Sequence, residues 1–189
     1  MTAVLKMNVQ EVNTEFVEQL KRQFGHSELE IYVHEPPSAA PQLTLKDFWH
    51  IISLLNWSKE GDDSLVVEPV IAALQRQSLA YIYRFSDLLS EKLWHLDTKN
   101  HAQVFLDEAD EDDYLSVDDF LYARCAVVAN GEKYYEKVLK KPNEMPTELT
   151  FEPLLYVAAE AYSRKTGKEF MSIPAFNYET YSNRKGWSK

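Results

Sequence analysis

The stretch DDFLYARCAVVANGEKYYEKVLKKP, Asp118 to Pro142, decides the fold. Val117, Phe120, Leu121, Val127 and Val128 recur at helical spacing. Ser116 stands ahead of them as an N-cap, and Asp118 and Asp119 fall in the first turn, where their charge complements the helix dipole. Asn130-Gly131 is a C-terminal stop. A second, shorter helix then covers Lys133 to Lys140, with Lys137, Lys140 and Lys141 at its dipole-favoured end and Pro142 closing it. Two successive helices with no alternating stretch predict a helical bundle.

Working outward, the same period continues on both sides. Thr44 and Asp47 form a capping box ahead of Leu45, Phe48, Trp49, Ile52 and Leu55. Val70, Ile71 and Leu74 mark another helix, with Pro69 at its start or kinking it. Tyr81 to Leu96 places Ile82, Phe85, Leu89, Leu93 and Leu96 roughly on one side. Phe151, Leu154, Leu155, Ala158, Ala161 and Tyr162 give the cleanest stripe, ended by Gly167. The aromatic tail FNYETYSNRKGW, Phe176 to Trp187, is expected to pack back on the bundle.

The N-terminal end reads differently. Ala3 to Val9 alternates like a strand; Asn13 or Thr14 caps a helix carrying Phe16, Val17, Leu20 and Phe24, stopped by Gly25; Leu29, Ile31 and Val33 alternate again. EPPSAAP, Glu35 to Pro41, then reads as a stiff extended linker. The expectation is a mainly α protein: a strand-helix-strand unit over 1–34, a Pro-rich linker over 35–43, and a helical domain over 44–189. So small a unit cannot bury a core alone, which points to a homodimer through residues 3–33.

Composition narrows the function. With 189 residues and 45% hydrophobic content, the chain can build a proper core. A net charge of -10 with no clustered basic stripe disfavours nucleic acid. A single cysteine, Cys125, excludes an internal disulfide framework. Neither a membrane-length apolar run nor a signal-peptide core appears, so the expectation is a soluble cytoplasmic protein.

FLDEADEDDYLSVDDF, Phe105 to Phe120, holds eight acidic residues and no basic one. A calcium loop fails in either register tried. Starting at Asp110 puts Leu115 where glycine belongs and Leu121 at the bidentate position, and starting at Asp107 puts Ala109 third. Ser116, Asp118 and Asp119 suffice to start the helix. Asp107, Glu108, Asp110, Glu111, Asp112 and Asp113 are then either solvated surplus or a docking surface for a basic protein.

Other chemistry is sparse. His95, Asp97 and His101 are metal-ligating types within seven residues. Their spacing is not that of a helical ligand pair, and Thr98-Lys99-Asn100 breaks the helix between them, so structural roles are expected and no metal. Cys125 lies among Ala123, Ala126 and Val127, a packed thiol. No Gly-rich phosphate loop, G-x-S-x-G or H-E-x-x-H occurs, and no cofactor is expected. Arg124 shares the apolar face of its helix, so its buried charge needs a carboxylate, with Glu152 or Glu179 as partner, or a ligand anion.

From about Phe48 to Trp187 the chain resembles a bacterial domain-of-unknown-function family, number 4240. The residues carrying the resemblance are Leu93-Trp94, Asp118 to Pro142, FEPLLYVAAEAY (Phe151 to Tyr162) and YETYSNRKGW (Tyr178 to Trp187). It implies a mostly helical bacterial domain and supplies no catalytic residue. NTEFVEQLKRQFGHSELEIYV, Asn13 to Val33, resembles the opening of small bacterial antitoxins. Two readings follow. One is a non-enzymatic binding or regulatory protein, antitoxin- or immunity-like, facing a basic partner. The other is a small enzyme or ligand-binding protein with an anion or metal pocket at Arg124 or at His95, Asp97 and His101.

Overall fold

The computed structural model describes residues 14–26, 43–107 and 115–188, without the side chains of 106 and 107. The chain divides into two compact units, Met1–Pro36 and Pro37–Lys189.

In the first unit the described element is helix α1, Thr14–Phe24, with no buried residue. Gly25 stops it because a Cβ there would lie 2.5 Å from the Lys21 carbonyl oxygen. The expected strand-helix-strand unit needs correction. Among the described residues there is no strand, and nothing among them offers the ladder partner a strand's backbone requires. The stretches expected as strands, Ala3 to Val9 and Leu29 to Val33, lie outside the described residues, as does most of the Pro-rich linker.

The regular elements of the second unit are all helical among its described residues. Helix α2, Leu45–Ile52, begins with the capping box: Thr44 Oγ1 accepts from Asp47 N–H (3.2 Å) and Asp47 Oδ2 from Thr44 N–H (3.0 Å). Helix α3, Asp63–Gln75, carries Pro69 inside it. Ser78 caps α4, Leu79–Leu96, which leads into α5, Lys99–Asp107. Ser116 caps α6, Val117–Ala129, by accepting from Asp119 N–H. Gly131, at φ +89°, makes the left-handed turn into α7, Glu132–Lys140. The Phe151 to Tyr162 stripe is split, because Pro153 opens a 3-10 turn, Glu152–Tyr156, before α8, Val157–Thr166.

Helix α6 is the centre. Phe120, Leu121 and every residue from Ala123 to Ala129 are buried, so it is enclosed rather than one-faced. Its small residues Ala123, Cys125, Ala126 and Ala129 let neighbours approach closely. α3 and α4 pack on α8, while α4 and α7 also flank α6. Beyond α8 the chain runs without regular structure to a last short helix, α9, Arg184–Trp187.

Candidate functional site

Two buried charges lock that last segment. Asp97, just past the end of α4, is fully buried. Its Oδ1 accepts from Tyr181 N–H (3.1 Å) and Trp187 Nε1–H (2.8 Å), and its Oδ2 accepts from Asn183 N–H (2.9 Å) with the Ser182 hydroxyl at 3.1 Å. Three N–H donors from one short stretch, with a serine hydroxyl whose single proton is shared with the Asn177 carbonyl, supply what a buried carboxylate needs. Asn183 adds a bond to the Trp94 carbonyl (3.1 Å) and caps α9 by accepting from Gly186 N–H (3.1 Å). Tyr181 sits at φ +74°, a strained conformation for a side chain of its size, where its own N–H meets Asp97.

Arg124 completes the lock from α6. Its guanidinium is fully buried and donates to the carbonyls of Phe120 (3.4 Å), Leu93 (3.1 Å) and Tyr178 (2.9 Å) and to the Thr180 hydroxyl (3.0 Å). It also stacks on the Phe120 ring at 4.8 Å. Burial lowers its proton affinity, and the charges of Asp97 and Glu179 oppose that. The carboxylate pairing expected with Glu152 or Glu179 is therefore corrected: neither lies within ion-pair distance of Arg124. Carbonyl oxygens take that place, because a guanidinium's fixed fork of N–H donors matches chain ends converging from three elements.

The metal expectation resolves in the same terms. His95 is partly exposed, near Glu91 (3.7 Å) and the Trp94 and Phe176 rings. His101 is buried, with Nδ1 2.7 Å from the Thr98 hydroxyl and Nε2 3.3 Å from the Val138 carbonyl. A carbonyl only accepts, so Nε2 carries the proton and Nδ1 takes the Thr98 hydrogen. Burial lowers the imidazole's pKa, assisted by Arg124 and opposed by the bond to Val138. Among the described residues no three His, Cys, Asp or Glu side chains come together. Cys125 is a packed thiol pushed up to about 12 by burial.

A concave site does exist elsewhere. A cleft of about 390 Å³ opens between α6, the start of α8 and the segment following α8. α6 contributes Asp118, Leu121 and Tyr122; the 3-10 turn contributes Leu155 and Tyr156; the later segment contributes Phe170, Tyr178 and Glu179. Glu152 stands beside it, accepting from the Tyr156 hydroxyl at 2.7 Å, and its charge adds to burial in raising the Tyr122 pKa. Phe170 is held by the Tyr83 and Tyr162 rings at 5.1 and 5.2 Å. Among the described residues no Lys, Arg or His lines it. Sequence reasoning missed these tyrosines because they come from three separate segments. The acidic stretch Glu108 to Asp113 lies outside the described residues.

The class these features define is a helical bundle strapped by a polar C-terminal segment. The model of the protein family of unknown function DUF4240 matches residues 43–164, and the chain belongs to that family. The match contains Leu93-Trp94 and the stretches Asp118 to Pro142 and Phe151 to Tyr162, but reaches neither Tyr178 to Trp187 nor the antitoxin-like Asn13 to Val33. That N-terminal resemblance has no support. Comparison with curated proteins and with solved structures finds no match.

Proposed function

We propose that the protein is a non-enzymatic binding protein that docks a basic protein partner on an acidic surface. The cleft carries this reading: among the described residues its wall joins tyrosines to Asp118 and Glu179 without one basic side chain, in a chain of net charge -10. Asp107, Glu108, Asp110, Glu111, Asp112 and Asp113 belong to the proposed docking residues on their charge alone. Structural bonds to Arg124, Asp97 and His101 weigh against the competing reading, an anion or metal pocket. Arg124 and Asp97 are bonded to the last segment, and both nitrogens of His101 are occupied.

A cytoplasmic setting belongs to the proposal, supported by the lone buried Cys125. Among the described residues no helix is long and apolar enough to cross a membrane. The test replaces Asp110, Glu111, Asp112 and Asp113 by Asn or Gln, captures partners from a lysate of the source organism, and reconstitutes binding with the identified protein. Salt-sensitive binding that the replacements abolish supports docking. Binding that ignores both salt and the replacements refutes it.

A further inference from the structure

Resting on that reading, we infer that the cleft receives one arginine side chain of the basic partner, its guanidinium held among Tyr122, Tyr156 and Tyr178 and met by Asp118 and Glu179. The wall offers two chemistries in one place. Leu121, Leu155 and Phe170 suit an alkyl stem, and the carboxylates and ring faces suit the charge at its end. At about 390 Å³ the cleft is at the small end of ligand sites, sized for a side chain rather than a helix.

One tyrosine is arranged beforehand. Tyr156 bonds to Glu152 at 2.7 Å, which fixes its ring before anything binds and spares the entropy of ordering it. The bond to Glu152 is also the main reason Tyr156 is pushed up to about 12, and burial followed by Glu152 raises Tyr122. Only the Glu152 contribution bears on the sign of a ligand: that carboxylate disfavours a further negative charge beside it, whereas burial disfavours charge of either sign. Arginine fits better than lysine because its planar group stacks on aromatic rings and meets carboxylates with two parallel N–H groups.

The test adds the N-acetyl amides of arginine, lysine and citrulline to the full-length protein. Citrulline keeps the shape of arginine without its charge. The expected result is saturable binding of the arginine probe, with amide NMR shifts centred on Tyr122, Tyr156 and Tyr178. Lysine should bind several-fold more weakly and citrulline not at all. Arginine should also lower the pH at which tyrosine absorbance titrates. Glu179→Gln and Tyr156→Leu, both at exposed positions, should weaken binding about tenfold while leaving the circular dichroism unchanged. Citrulline matching arginine, lysine matching or exceeding it, or shifts centred elsewhere would overturn the assignment. With the reconstituted partner, binding that survives both cleft variants but not the Asp110–Asp113 replacements sinks the cleft alone and leaves the docking reading standing.

Discussion

At Asp97 and Arg124 single side chains decide how a whole segment lies. Asp97→Asn keeps the shape but turns an amide NH₂ toward N–H donors, and should cost about 3 kcal/mol in a denaturant titration. Arg124→Met should cost a similar ~3 kcal/mol, because methionine fills the space yet leaves the Leu93 and Tyr178 carbonyls without donors. Hydrogen exchange should then quicken first at Tyr181 and Asn183. His101 gives a pH signature. Its folded pKa lies below the ordinary value of 6.5, so the unfolded chain binds the proton first as pH falls. Stability is therefore full above about pH 6.5 and declines below it, by at most about 1.4 kcal/mol per pH unit. His101→Gln should flatten that decline in melts run from pH 7.5 to 5.

At the scale of elements, caps and close approaches set the tolerances. Gly186 is pressed on Thr98, where an added Cβ would meet Cγ2 at 2.7 Å. Gly186→Ala should thus lower stability by about 1–3 kcal/mol, read as a lower melting temperature, with loss of the Trp187 fluorescence environment. We propose a homodimer through residues 3–33, because α1 has no buried residue of its own. Light scattering should find a dimer for the full chain and a monomer for residues 42–189, and two monomers would dismiss the idea. The helices were legible because their punctuation is local: Thr44 with Asp47, Ser116, Asn130-Gly131 and Gly167 each act within a turn. Arg124 was legible as a buried charge, since an apolar stripe surrounds it. Its acceptors were not, because Tyr178 and Thr180 lie more than fifty positions away. Asp97 was misleading for the opposite reason. His95 and His101 are close to it in sequence, yet the chain turns at the end of α4 and aims the three side chains at different neighbours.

Over the whole molecule the excess of negative charge acts on everything at once. Added salt should raise the melting temperature, and replacing Asp110, Glu111, Asp112 and Asp113 by their amides should raise it at low salt and shrink the salt effect. A melting temperature indifferent to both would show that self-repulsion is negligible. The polar strap has a consequence for synthesis. Residues 43–166 hold nearly all the apolar core, but Asp97 and Arg124 are made long before the residues that satisfy them. A nascent chain that has not yet emerged past Trp187 leaves Asp97 without its donors and Arg124 without Tyr178 and Thr180, though not without Leu93 and Phe120, and should open more easily. A message broken after α8 would yield an almost complete bundle that proteases still recognise as unfinished.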